Sequence, residues 1–286
     1  MPAKSSGPCR TGAVSKMAEI SVFQTGSTLV SPAVPDRSSR KAAIAYTGLF
    51  QDRKKRISVP VKAFLVEGSG HRILIDTGWS AACAVHPLRH LGFGLWFASE
   101  PVMSAGESVV QQLKQRHLQP SDLDAILLTH LDCDHVSGLL PLKDAARIYT
   151  TREELAAASA KNVRYNPRFW KGIDFSFYEM KPDEHAPFKR SCDLFGDGSV
   201  VAYFTPSHSA GSVAVEVNDG GRFALFPGDN GYNRRSWEEL RLPGPIYRPE
   251  NMTRALAWVR AESRRENCAG VYAAHDPEIQ PGQYKI

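Results

Sequence analysis

The chain has 286 residues, 42% of them hydrophobic and 23% charged, the balance of a soluble globular protein. That length buries a core without disulfides or a structural metal. Five scattered cysteines with no CxxC pair exclude a disulfide framework, and no apolar window approaches the roughly 18 residues of a membrane span. The net charge of +5 is uneven, since residues 1–66 hold 11 Lys/Arg against 3 Asp/Glu. A basic stretch with no nucleic-acid module around it reads as a solvated arm and loop, so no nucleic-acid partner is expected.

Residues 1–16 are rich in Ser, Gly, Lys and Ala, lack the apolar stretch of a secretory signal, and read as a disordered arm in a cytoplasmic protein. Residues 17–286 read as a single domain. Ile20, Val22 and Phe23 suggest a first strand, residues 57–66 a second and residues 71–75 a third. The glycine turn at 68–70 makes the last two a hairpin. An irregular stretch follows, then a helix over about 105–118 with Val109, Val110 and Leu113 on one face. Residues 125–129 and 146–150 read as buried strands, and Thr151 opens a helix with Glu153 and Glu154 in its first turn. Residues 161–190, rich in aromatics and with no period, read as an insertion. Strands resume at 199–205, 212–217 and 222–226, before a helix over about 252–266 and a strand at 270–274. Strands with helices at intervals in both halves point to an α/β layered sandwich.

Four segments share one grammar: an apolar run that ends in His or Asp beside small residues. They are Thr129-His130-Leu131-Asp132-Cys133-Asp134-His135, Thr205-Pro206-Ser207-His208, Phe226-Pro227-Gly228-Asp229 and Ala273-Ala274-His275-Asp276. Strand ends project their last side chains from one sheet edge, where imidazoles and carboxylates can converge on a cation. Taken singly, His208 or His275 is more often a hydrogen-bonded loop histidine, and Asp229 after Pro-Gly a turn residue. The 130–135 cluster is different, because four titratable groups in six residues at the end of a buried run are costly unless paired or metal-bound.

With Asp76-Thr77-Gly78 ahead of it, this ordered series resembles the metallo-β-lactamase superfamily, whose hallmark is H-x-H-x-D-H followed by separate His, Asp and His. The resemblance spans about residues 18–278. It implies an αββα sandwich with two divalent metal ions at one edge between two sheets. His130, Asp132 and His208 would hold the first ion, and Asp134, His135 and His275 the second. Asp229 would bridge them, and Asp76 would orient a ligating histidine. This chain has Asp132 where the family usually has His. A carboxylate is the harder ligand, so zinc leads while iron or manganese is admitted.

Asp229-Asn230-Gly231-Tyr232, with residues 57–66 and 73–78, is similar to the N-acyl homoserine lactonases of that superfamily. The likeness implies a metal-dependent hydrolase that opens a lactone or ester of a small-molecule substrate, by attack of a hydroxide shared between the metals. Tyr232 would donate to the developing oxyanion and Asp134 would pass a proton to the leaving alkoxide. It also admits a homodimer. The competing readings are another hydrolase of the same fold (thioester, phosphodiester or β-lactam), a non-hydrolytic metal-binding sensor, and a di-iron redox protein. Cys133 reads as a small buried filler between ligands.

Overall fold

The computed structural model describes residues 17–38, 44–68, 70–160 and 162–286; the expected arm at 1–16 lies outside them. Fourteen strands among the described residues form two sheets. The first contains β1 (Glu19–Val30), β2 (Ile57–Gly68), β3 (His71–Ile75), β4 (Glu100–Val102), β5 (Ala125–Leu127), β6 (Ile148–Thr150), β7 (Ser176–Phe177) and β14 (Gly282–Lys285). Its order is β14-β1-β2-β3-β5-β6-β7, with β4 added on β1. The second contains β8 (Lys181–Pro182), β9 (Arg190–Asp193), β10 (Val200–Phe204), β11 (Val213–Asp219), β12 (Arg222–Phe226) and β13 (Cys268–Val271), in the order β13-β12-β11-β10-β9-β8.

Alternation along the strands sorts side chains into three apolar layers. On β2, Val61, Ala63 and Leu65 face the outer helices, while Phe64 and Val66 face the other sheet. On β12, Ala224 and Phe226 point inward, and Phe223 and Leu225 point out. Among the described residues eight α-helices cover the two outer faces: α1 (Ala82–Val85), α2 (Pro87–Leu91), α3 (Phe93–Ala98), α4 (Val109–Gln115), α5 (Cys133–Val136), α6 (Arg152–Ser159), α7 (Arg234–Glu238) and α8 (Pro249–Ser263). The second sheet packs on Trp237, Met252, Leu256 and Val259 of α7 and α8. The result is the αββα sandwich.

The predicted hairpin forms, with Gly68 opposite His71. The irregular stretch at 79–98 instead holds α1, α2 and α3, each too short to show a period; Pro87 starts α2, and Gly92 at φ 82° separates α2 from α3. The helix expected over 105–118 splits at Ser108, whose extended backbone leaves a 3₁₀ turn before α4. The last helix starts three residues early because Pro249 occupies its first turn, where a missing N–H costs nothing. The final strand of the second sheet is Cys268–Val271, earlier than expected, which frees residues 272–276 as a loop. Edge strands β4, β7, β8 and β14 are too short to announce themselves.

Strands β3, β5, β10, β12 and β13 all run into the same rim. β3 pairs parallel with β5, and β12 parallel with β13. The residues just past their C-terminal ends are Asp76, Thr129–His130, His208, Asp229 and His275.

Candidate metal centre

Asp76 follows β3 at φ 57°, a left-handed conformation that Asp tolerates better than most residues. The turn swings its carboxylate under the end of β5. There Oδ1 accepts from the Thr129 backbone N–H at 2.8 Å, and Oδ2 accepts from Thr129 Oγ1 and His135 Nδ1, both at 2.8 Å. Thr77 N and Oγ1 both donate to the His135 carbonyl at 2.8 Å. Gly78 is required next: a Cβ there would lie 2.1 Å from Thr25 Oγ1. This is how Asp-Thr-Gly, commonplace as a sequence, fixes the loop that carries the histidines.

Every imidazole of the cluster is held through Nδ1. His135 donates to Asp76, His208 to the Pro245 carbonyl at 3.0 Å, and His275 to the Pro60 carbonyl at 2.8 Å. Thr129 Oγ1 spends its own proton on Asp76, so at 3.0 Å it accepts from His130 Nδ1. Rings so fixed turn four Nε2 atoms inward. His135 Nε2 and His275 Nε2 face each other at 3.3 Å, and the fully buried His130 Nε2 has no hydrogen-bond partner.

Asp229 sits among them, 3% exposed. Its Oδ2 lies 3.4 Å from His208 Nε2 and 3.9 Å from His130 Nε2, while Oδ1 lies 3.2 Å from His135 Nε2 and 3.3 Å from His275 Nε2. Each carboxylate oxygen faces one histidine pair, and Oδ1 has no aligned hydrogen bond. Four Nε2 atoms converging with carboxylate oxygens, His130 Nε2 and Asp229 Oδ1 among them without a hydrogen-bond partner, are a donor set that fits divalent cations. The donors fall into three groups within 4.8 Å: His130, Asp132 and His208; His130, His135 and Asp229; and Asp134, His135 and His275.

The two ends of the cluster differ. Asp134 Oδ2 lies 3.5 Å from His275 Nε2. Asp132 Oδ2 lies 2.9 Å from His208 Nε2, and both Asp132 oxygens are also gripped by Arg164, whose Nε and second terminal nitrogen donate at 2.6 Å each. The other terminal nitrogen of Arg164 donates to the His208 carbonyl at 3.0 Å. Burial would raise the Asp132 carboxyl, but Arg164, with His130 and His208, holds it well below the usual carboxylate range. Burial lowers His208, and Arg164 lowers it further. At His135 and His275 burial also opposes the charged form, but Asp229 and the neighbouring carboxylates override it and raise both rings.

Glu154, fully buried in α6, braces the first end. Its Oε1 accepts from Leu131 N at 3.1 Å and Tyr165 Oη at 3.2 Å; its Oε2 accepts from Ser209 Oγ at 2.6 Å and Gly211 N at 3.0 Å. Tyr232 roofs the cluster at 5% exposure, stacked on His275 at 4.9 Å and edge-on to His208 at 6.2 Å. Burial, reinforced by Asp229, keeps its phenol protonated. Cys133 points into the outer core, its thiol pushed up by burial, away from ligand chemistry. In the aromatic stretch, Tyr165, Phe169 and Trp170 pack into that same core and Tyr178 packs between the sheets.

Every ligand candidate named from the sequence, with Asp76 and Tyr232, therefore meets at one rim. Sequence reasoning missed Arg164 and reduced Glu154 to a helix-start acid. Neither has a local pattern, since their partners lie 32 and up to 57 residues away. One signal was available for Arg164: a carboxylate in a histidine position, in a buried cluster already rich in carboxylates, calls for a cation nearby.

Residues 57–267 match the metallo-beta-lactamase superfamily. The chain is 27% identical over 228 residues to the N-acyl homoserine lactonase AttM of Rhizobium radiobacter, covering 77% of this chain and 83% of that one. It is 28% identical over 236 residues to the probable metallo-hydrolase Rv2300c of Mycobacterium tuberculosis, covering 78% and 73%. Among solved structures, an N-acyl homoserine lactone hydrolase with N-hexanoyl-L-homoserine bound at its catalytic metal centre superposes with a TM-score of 0.73 at 19% identity, over 92% of this chain and 94% of that one. The dizinc quorum-quenching lactonase AidC superposes at 0.61 and 14% identity, over 95% of each chain. The matched span, the αββα layers and the rim of histidines and aspartates agree, and the chain belongs to the metallo-beta-lactamase superfamily.

Proposed function

We propose that this chain is a dinuclear metal-dependent hydrolase that opens a lactone of the N-acyl homoserine type. The observation that carries the reading is Asp229, whose two oxygens face two separate histidine pairs, supported by relatives named N-acyl homoserine lactonases. His130, Asp132 and His208 would hold one ion, Asp134, His135 and His275 the other, and Asp229 would join them, with Asp76 holding His135 in its tautomer. Bound there, two divalent cations would supply Lewis acidity toward water and the ester carbonyl.

The chain's own groups do the rest. Tyr232, protonated and stacked over His275, would donate its phenol proton in a hydrogen bond to the carbonyl oxygen as negative charge develops there. Asp134, 15% exposed against 3% for Asp229, is the carboxylate able to pass a proton to the departing alkoxide. The dizinc neighbour favours zinc, while Asp132 admits iron or manganese. A single domain over 17–286, with the aromatic stretch at 161–190 as an insertion, fits these roles. Cys83, Cys133, Cys192 and Cys268 are free thiols, which suits a cytoplasmic setting. No helix among the described residues is long and apolar enough to cross a membrane.

The test is ring opening of N-hexanoyl homoserine lactone, followed by proton release, on protein stripped of metal and reloaded with Zn²⁺, Mn²⁺ or Fe²⁺. Metal-dependent turnover that Asp229→Ala abolishes is the expected result. No turnover from protein carrying two ions per chain would rule out this substrate class.

A further inference from the structure

We propose that Asp132 and Arg164 form one charge-neutral ligand unit, with Arg164 as the positioning residue that sets how tightly the first subsite holds its ion. The proposal rests on the two-metal reading above.

The geometry of the pair is specific. Arg164 approaches side-on, Nε to Oδ1 and a terminal nitrogen to Oδ2, both at 2.6 Å. This fork is the strongest arrangement a guanidinium makes with a carboxylate, and it fixes the carboxylate plane. Oδ2 still faces His208 Nε2 at 2.9 Å and His130 Nε2 at 3.5 Å. One oxygen is thus left to serve a cation while the fork holds the pair from behind. The unpartnered, buried His130 Nε2 points independently to an ion at that spot. The remaining nitrogen of Arg164 fixes the His208 carbonyl, so one side chain positions two of the three donors.

Charge is what separates the subsites. Asp134 is a bare carboxylate, with no lysine or arginine among the described residues within salt-bridge distance. Asp132 is cancelled by Arg164. Apart from the shared Asp229, the fork cancels the carboxylate of the first subsite, while the second keeps two uncancelled carboxylates, Asp134 and the Asp76 behind His135. A guanidinium a few ångströms from a divalent ion repels it, in a site where screening by water is weak. The second subsite therefore loads first and the first subsite is the weaker one.

A four-protein charge cycle tests this: the native chain, Arg164→Met, Asp132→His, and the double variant. Each is stripped, titrated with Zn²⁺ and with Mn²⁺ against a competing chelator, and counted for metal per chain. His208→Ala identifies the weaker equivalent by removing it. Freed from its counter-charge, Asp132 in Arg164→Met binds the weaker ion roughly tenfold or more tighter. Asp132→His leaves an uncancelled guanidinium beside the ion and weakens it, and the double variant returns close to native. Arg164→Lys keeps the charge and stays near native, and Arg164→Gln, which retains donors for the His208 carbonyl, replaces Arg164→Met should that protein fail to fold. An unchanged or weaker ion in both Arg164→Met and Arg164→Gln, or a double variant that keeps the weakness of Asp132→His, would overturn the proposal, while two native ions leave the metal reading intact. A native chain that accepts no second ion sinks both.

Discussion

Around His135 and His275 the facing charges are carboxylates: Asp76 behind one ring, Asp134 beside both, Asp229 in front. Around His208 the nearest cation is a guanidinium, and its partner carboxylate is already spoken for. The same fold elements deliver both histidine pairs to the same rim. The outcome differs because of what stands behind the donors: raised rings at one end, a lowered ring at the other. A dinuclear centre that looks symmetric in its ligand list is asymmetric in its electrostatics, and the asymmetry comes from residues outside that list.

The comparison can be broken outright at the group both halves share. Asp229→Ala should lower lactone turnover by roughly three orders of magnitude and reduce metal content, measured on the same reloaded sample. Retention of two ions with high turnover would mean that the halves are independent. Tyr232→Phe should lower kcat by roughly a hundredfold and leave the metal count at its native value, which steady-state kinetics and elemental analysis check together. A fall in metal content would show the tyrosine to be structural.

Two smaller changes sharpen the contrast. Asp76→Asn should weaken binding of the tighter ion by roughly 10–100-fold, read by chelator competition, and leave the weaker ion less affected. Glu154→Ala should act on the other half, since it strands buried donors on Leu131, Ser209 and Gly211. A loss of about 3–5 kcal/mol is expected in urea melts.

A last effect belongs to Lys62. It is 1% exposed, and its Nζ donates at 2.7 Å to the carbonyl of Asp276, the residue after His275. Burial brings this amine down to about 8 from the ordinary 10.5. The folded-state value is depressed, so between pH 8 and 10.5 the unfolded chain holds the extra proton and stability rises with pH by about 2–3 kcal/mol. Lys62→Met should abolish that rise in melts recorded across the window.

Most of the centre was legible because its residues sit where strands end, and strand ends can be read from short apolar runs. Asp76, His130, His208, Asp229 and His275 each come within a few residues of the end of such a run, and His135 belongs to the cluster that His130 opens. The layers were legible for the same reason. Lys62 could have been caught: alternation along β2 places it on the face of Phe64 and Val66, which looks into the space between the sheets. Arg164 could not be placed, since it leaves an aperiodic stretch and meets its partner through tertiary packing alone. The helices at 82–98 were hidden by their length, as four to six residues complete too few turns to show a stripe.

Glu154 has a mechanical consequence. One side chain ties together the backbone at Leu131, the hydroxyl of Tyr165 and the loop at Ser209 and Gly211, and the α6 N-cap Thr151 donates to the Gly211 carbonyl at 2.7 Å. Three chain segments distant in sequence are thereby riveted at one point. The start of the aromatic stretch cannot swing away from the rim without tearing the loop beyond His208 from its anchor. Amide hydrogens of Leu131 and Gly211 should then exchange with solvent together, in a single opening, rather than by separate fraying of each loop.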